Sequence, residues 1–524
     1  MLLLLTGLLA LGPVFSEAQT APVNDSVASM SLEKKVGQLF LIGFQQRGLD
    51  ARLKKFIRQY RPGGFILFRR NLTSTDQIRS FTKDLRAYTL AETGFDPFLA
   101  VDQEGGPVTR VPFFPSLPSA QAIGLGGNEA LARDFGEESG RLLHWAGFNM
   151  NLAPVLDLSN PLKTSFLGPR SFGDDPELTS RLGVAYAEGL KKAGVLPTGK
   201  HFPGLGGLMA DLHKTTVSRM LSIDVFRRND LKPFYDFSRM GAVSALMISQ
   251  MSYPFLDPSG RSASFSPKIL KDLLRGEIGF QGLIITDDLQ MKGSSLIYSA
   301  EEAAFQSLKA GADLIMISWS AQQQQRAFDR VLRALRTGEW SIDELNDRVH
   351  RILAVKAGLR AVSNPLPTRI GQGPDGTPGT RRLEQLDLRL LDNKIRRFGQ
   401  RARRPATLAN GVSCVVSSDQ RFLASFQQGK PQGNRLFTLR KSTTSQELEN
   451  HLGQDCGLIV FAVSGTKTGR VLAGLSKKLR DKTYAVNLAM PTALPATLSL
   501  AGRLEIGHPH LHAGYRVAQL LQEK

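Results

Sequence analysis

Cysteine is almost missing from this chain: Cys414 and Cys456 are the only two in 524 residues. Two thiols build neither a disulfide framework nor a thiolate zinc site. Far towards the C-terminus, they either bridge one subdomain in an oxidising compartment or serve as small core residues. Acidic residues are also in deficit, 47 against 66 Lys and Arg, for a formal net charge of +19. That excess suits nucleic acid, an anionic membrane surface or an anionic polymer such as a cell wall, and does not choose among them. Gly and Pro, 50 and 27, follow no triplet period, which excludes a collagen-like chain. There is no Walker phosphate loop, no His-Glu-x-x-His motif and no Rossmann glycine fingerprint. Long apolar runs are limited to one, Met1 to Phe15, shorter than the ~20 residues of a comfortable membrane span. With Ser16-Glu17-Ala18 as a small-x-small cleavage site before Gln19, it reads as a secretory signal peptide over 1–18, although a basic leader is lacking. The expectation is an exported bacterial protein, periplasmic or secreted. The alternative is an N-terminal apolar helix packed on the domain.

What is present is an ordinary globular mixture, 42% hydrophobic and 22% charged, which excludes a largely disordered chain. From Ser31 to about Arg360, short apolar runs alternate with amphipathic segments. The runs are Leu39–Phe44, Gly64–Phe68, Pro97–Asp102, Phe148–Pro154, Leu196–Phe202, Ser244–Ser249, Leu283–Asp287 and Asp313–Ser318. Most are continuously apolar, as strands buried on both faces are. Between them lie helical patterns such as Glu129 to Trp145 and Pro176 to Lys192. Eight such units predict a (β/α)8 TIM-type barrel, with a doubly wound sheet as the alternative. Ser363 to Gly379 is a linker by its Pro and Gly content, and Arg381 to Arg404 is a basic, Leu-spaced segment that predicts a helix with a solvated cationic face. Strand-like runs return at 411–416, 458–463 and 484–488. The organisation expected is a signal peptide at 1–18, a barrel at 19–360, a linker and basic helix at 361–405, and a smaller α/β sandwich-like domain at 406–524.

In a barrel of this kind the chemistry sits at the C-terminal ends of the strands. The third run ends in Asp102, the fifth is closed by Lys200-His201-Phe202, and the seventh ends in Asp287-Asp288; Asp157 follows the fourth. A carboxylate closing an apolar strand is costly to bury unless it is paired or used. Asp102 and Asp287 are therefore read as functional, whereas Asp288 and Asp157 read more readily as caps of the helices that follow. Asp211 and His213 lie two apart in a glycine-flanked loop after the fifth run. On an extended segment both point to one side, and an aspartate beside an imidazole fixes its tautomer and stabilises its protonated form for proton transfer near neutral pH.

Four motifs in order, Ser31-Leu32-Glu33-Lys34-Lys35-Val36-Gly37-Gln38-Leu39-Phe40, Val101-Asp102-Gln103-Glu104-Gly105-Gly106, Lys200-His201-Phe202-Pro203-Gly204 and Thr286-Asp287-Asp288-Leu289-Gln290-Met291, resemble glycoside hydrolase family 3, in its β-N-acetylglucosaminidase branch. The resemblance spans about residues 31 to 360; the last domain is only loosely similar to the sandwich of some members. It implies a retaining mechanism through a covalent glycosyl-enzyme intermediate, with Asp287 as nucleophile. It implies that Asp102, Lys200, His201, Arg110 and Arg170 bind sugar, and that Asp211 and His213 are the acid/base dyad, with no cofactor and no metal. The implied substrate is a glycan ending in N-acetylglucosamine (GlcNAc), such as a muropeptide or other cell-wall fragment, cleaved from its end. The chain departs from the branch at Leu205, where a histidine is usual.

Other signals are weaker. His508-Pro509-His510-Leu511-His512 is a terminal cluster that binds metal only adventitiously. The 381–404 segment has no aromatic beyond Phe398, so no nucleic-acid partner is expected; contact with an anionic wall polymer fits the export signal. The sequence sets no oligomeric state. Three rivals stand beside the main reading: a β-glucosidase taking its acid from Glu447 or Glu449, a phosphorylase using phosphate in place of water, and a non-catalytic glycan-binding protein.

Overall fold

In the computed structural model the described residues are 26–113, 116–159, 167–206, 222–362, 371–372, 378–399, 413–417, 434–439, 443–452, 458–463, 471–472, 475, 483–487 and 502–505. Each of the eight apolar runs contains a strand: β1 Phe40–Ile42, β2 Gly64–Leu67, β3 Phe98–Val101, β4 Met150–Asn151, β5 Leu196–Phe202, β6 Ala245–Ile248, β7 Leu283–Thr286 and β8 Ile315–Ile317. Every residue of these strands is buried, the reason their sequences do not alternate. Their order is β7-β6-β5-β4-β3-β2-β1-β8, with every pairing parallel. A parallel bridge between Ile285 and Leu314 joins β7 to β8. Neighbours in sequence are neighbours in space all the way round, so the sheet is a (β/α)8 barrel and the doubly wound order is excluded.

The β7–β8 seam is reinforced by Asp313, which has no solvent exposure. Its carboxylate accepts from the Ile284 backbone N at 2.8 Å, from Arg275 at 2.6 Å and from Arg351 at 2.9 Å. Burial would raise the Asp313 pKa, but Arg275 and Arg351 outweigh it and hold it below the usual carboxylate value.

The outer helices begin where short polar side chains can cap them. Asp50 accepts from the Leu53 N at 2.8 Å, and Asp175 from Glu177 and Leu178 at 2.9 and 3.2 Å, just ahead of Pro176. Glu129–Trp145 and Pro176–Lys192 are helices with the expected bounds. They pack closely because glycine allows it: a Cβ on Gly189 would come 2.2 Å from the Arg133 carbonyl O.

After the helix Ile342–Val362 comes a short antiparallel pair, β9 Gly371–Gln372 and β10 Pro378–Gly379. The helix Arg381–Gly399 follows. It buries Leu383, Leu386, Leu390 and Leu391. Arg382 pairs with Glu137 at 3.2 Å and Arg389 with Asp134 at 2.9 Å. The cationic face expected to be solvated is thus partly taken up in ion pairs with the helix Glu129–Trp145. The last region holds a parallel five-stranded sheet in the order β12-β11-β13-β14-β15, with β11 Ser413–Ser417, β12 Asn434–Thr438, β13 Leu458–Val463, β14 Thr483–Asn487 and β15 Gly502–Glu505. Residues 1–18, Asp211, His213, Cys456 and 508–512 lie outside the described residues, as do the side chains of Cys414 and Glu449. Among the described residues no helix is long and apolar enough to cross a membrane.

Candidate active site

The loop leaving β3 presents its side chains alternately. Asp102 and Glu104 face a cavity above the barrel, and Gln103 between them turns into the wall, where it is fully buried. Gln103 Nε2 donates to the Val111 carbonyl at 3.0 Å, and its Oε1 accepts from the backbone N of Arg110 and of Val111 at 2.9 and 3.1 Å. This fixes the segment that carries Arg110. The turn relies on Gly105, whose φ of +87° and distance of 2.1 Å from a notional Cβ to the Pro118 carbonyl O both exclude a side chain.

At the end of β5 the pairing register with β6 shifts between Lys200 and Phe202. Consecutive strand residues normally point to opposite faces, and the irregularity lets both Lys200 and His201 line the cavity. Lys200 is 2% exposed. Its Nζ donates to Asp102 Oδ1 at 2.9 Å and pairs with Glu104 Oε1 at 2.5 Å. Arg170, in the turn Gly168–Arg170, grips Glu104 in a fork at 2.8 and 2.9 Å. Two cations and two carboxylates thus balance, with Lys200 and Glu104 almost wholly buried. Burial would raise the Glu104 carboxyl, but Lys200 and Arg170 hold it down at about 2. Burial would lower the Lys200 amine, and Asp102 and Glu104 raise it instead. Arg170 is raised for the same reason, with Glu104 outweighing its burial.

His201 is held from behind. Asp157, without exposure, contacts His201 Nδ1 at 2.6 Å through Oδ2, and the same oxygen accepts from the His201 backbone N at 3.1 Å. Its Oδ1 accepts from the Leu205 N at 2.8 Å. Asp157 therefore caps no helix. It anchors the β5 loop and orients an imidazole, and Leu205 packs its side chain against the cavity while its backbone joins this anchor.

Asp287 stands half-buried just past β7, its backbone N donating to the Ile248 carbonyl of β6 at 3.3 Å. The next peptide N–H, of Asp288, donates to Asp287 Oδ1 at 2.7 Å and sets the carboxylate's direction. Asp288 is buried, accepting from the Ser318 hydroxyl and from the Gln290 N at 3.1 Å. It closes a local turn and does not cap the helix that follows, Lys292–Ser295, which starts after Met291. Burial pushes its carboxyl up to about 6, with neighbouring Asp287 adding in the same direction.

Six of the residues picked from sequence, Asp102, Arg110, Arg170, Lys200, His201 and Asp287, line one cavity of about 420 Å³, within the usual range for small-ligand sites. Among the described residues the buried Nε of Arg110 has no hydrogen-bond partner, so it is free to donate to an acceptor in the cavity. Glu104, Asp288 and Trp319 also line the cavity. Glu104 stood inside a quoted motif without a role, Asp288 was read as a helix cap, and the alternation around Gln103 was the signal that marks Glu104. Asp211 and His213 fall in 207–221, outside the described residues. The arrangement offers charged hydrogen-bond partners for a polyhydroxylated ring on one side and a half-buried carboxylate at the end of β7.

Residues 31–355 match the family described as Glycosyl hydrolase family 3 N terminal domain. A Beta-hexosaminidase of Pseudomonas aeruginosa is 36% identical over 271 residues, covering 51% of this chain and 79% of that protein. Beta-hexosaminidase A of Pseudoalteromonas piscicida is 28% identical over 486 residues, covering 86% and 79%. A solved family 3 β-N-acetylglucosaminidase from a Paenibacillus species superposes with a TM-score of 0.78 at 27% identity, covering 94% of this chain and 97% of that one. With the family match spanning the barrel that carries the cavity, the chain belongs to glycosyl hydrolase family 3 and is a glycoside hydrolase.

Proposed function

We propose that the enzyme is an exo-acting, retaining β-N-acetylglucosaminidase that releases terminal GlcNAc, with cell-wall fragments as its substrates. The observation that carries this reading is the placing of Asp287 in one cavity with the Asp102, Glu104, Lys200 and Arg170 cluster. The cluster supplies paired donors and acceptors for the hydroxyls of a terminal sugar. A carboxylate fixed by the Asp288 N–H is suited to attack at the anomeric carbon. The names of the relatives support the acetamido sugar. The run Met1–Phe15 supports export, and the +19 charge supports an anionic polymer as surroundings.

In the first step an Asp287 oxygen forms a bond to the anomeric carbon as the glycosidic C–O bond breaks. The leaving oxygen takes its proton from His213, with Asp211 stabilising the imidazolium before the transfer. In the second step water attacks the same carbon, gives its proton to His213, and the bond to Asp287 breaks. Lys200, Arg170 and Arg110 orient the ring throughout.

Paired β-glucoside and β-N-acetylglucosaminide substrates test this, with wild type, Asp287→Ala and His213→Ala side by side. The expected result is strong preference for the acetamido sugar and loss of turnover of about 10⁴-fold or more in Asp287→Ala. His213→Ala should lose about 10²- to 10³-fold on poor leaving groups and much less on activated ones, which need little protonation. Glucoside preference, equal losses for both leaving groups, or turnover that needs phosphate would overturn the reading.

A further inference from the structure

Trp319 follows β8 at the cavity mouth and leaves 58% of its surface in solvent. The ring is nonetheless held. It stacks on Phe68 with centroids 6.1 Å apart and planes 25° apart. The Arg70 guanidinium lies 4.1 Å from the indole and 4.4 Å from the Phe68 ring. Arg70 is itself tied down, its Nε donating to the Phe44 carbonyl at 2.9 Å and its Nη2 to the Ser318 carbonyl at 2.6 Å. The Trp319 backbone N donates to Gln290 Oε1 at 2.6 Å. The indole is therefore fixed before any ligand arrives, and the ordering cost of binding against it is already met.

The placing says what it is for. β8 and β2, which carry Trp319 and Phe68 at their ends, flank β1. The aromatic pair thus occupies the arc between Asp287 after β7 and Asp102 after β3. Lys200 and Glu104, at 2% and 7% exposure, form the deep polar wall that would take the terminal sugar. A ring more than half exposed at the rim meets whatever part of the substrate projects beyond that sugar. Pyranose rings present flat C–H faces, which pack on an indole face.

We propose that Trp319, backed by Phe68 and Arg70, is the platform for a second pyranose ring on the leaving-group side of the scissile bond. The proposal rests on the β-N-acetylglucosaminidase reading above. It makes the enzyme prefer a sugar leaving group to a small one.

The test compares N,N′-diacetylchitobiose with methyl β-N-acetylglucosaminide, which share the cleaved sugar and differ only in the leaving group. Trp319→Ala is expected to lower the ratio of kcat/KM for the disaccharide over the methyl glycoside by about tenfold, chiefly through KM for the disaccharide, and Trp319→Phe to restore most of it. A ratio that does not move, or losses equal on both substrates, would overturn the platform while leaving the wild-type activity as evidence for the reading beneath it. A wild type that cleaves neither substrate would overturn that reading and the platform together.

Discussion

Glu104 is the residue on which the charge arrangement turns. It is 7% exposed, receives both arms of Arg170 and pairs with Lys200. Removing one partner of such a buried group leaves charge uncompensated, which costs more than the pair contributes. Glu104→Gln is expected to destabilise the enzyme by about 3–5 kcal/mol at neutral pH, read as a fall in the urea midpoint at unchanged m-value. The sign with pH follows from the depressed folded value of about 2 against 4.5 unfolded. The ionised carboxylate's contribution is fully present above about pH 4.5 and is lost as pH falls towards 2. The gap between wild type and variant should therefore close over that window. A gap that stays constant would show that Glu104 acts by packing alone. Only part of this was legible beforehand. Asp102, Lys200 and Asp287 announce themselves as charges closing apolar strands. Asp157 and Asp288 do not, because their partners, His201 44 residues away and Ser318 30 residues away, are neighbours only in the fold.

At the scale of elements, the eight barrel strands were readable because strands buried on both faces leave unbroken apolar runs. The fifth run, Leu196–Phe202, matches its strand, and the other seven extend past theirs into the adjoining loops. The C-terminal sheet shows the converse. Its three inner strands, β11, β13 and β14, were anticipated, and its two edges, β12 and β15, were not. Asn434–Thr438 and Gly502–Glu505 each include an arginine, which breaks the apolar run, so apolar content does not reveal them. The seam between β7 and β8 combines backbone hydrogen bonds with one buried carboxylate, Asp313. Asp313→Ala would leave Arg275 and Arg351 short of their partner and the Ile284 N–H unpaired. The expected cost is about 3–5 kcal/mol, seen as an early denaturant midpoint. A shift below about 1 kcal/mol would mean that the strand pairing closes the barrel without the ion pairs.

Across the whole molecule, the barrel gathers at one end residues spread from Asp102 to Asp288. Motifs placed at strand ends picked out Asp102, Lys200, His201 and Asp287, which share that cavity, because the end of each strand is fixed by the fold. The rim was not readable in the same way: Phe68, Arg70 and Trp319 come from two loops, and nothing in their spacing brings them together. The helix Arg381–Gly399 is tied to the barrel by its leucines and by Arg382 and Arg389, so some of the excess positive charge is structural. The central claim is that Asp287 becomes covalently glycosylated during turnover. It is tested most directly by intact-protein and peptide mass spectrometry after reaction with a fluorinated N-acetylglucosaminyl fluoride, whose intermediate forms faster than it hydrolyses. The account predicts a mass gain of one sugar unit, lost in Asp287→Ala and mapped to the peptide holding Asp287. A sugar attached elsewhere, or steady turnover of the reagent with no adduct at any time, would contradict it.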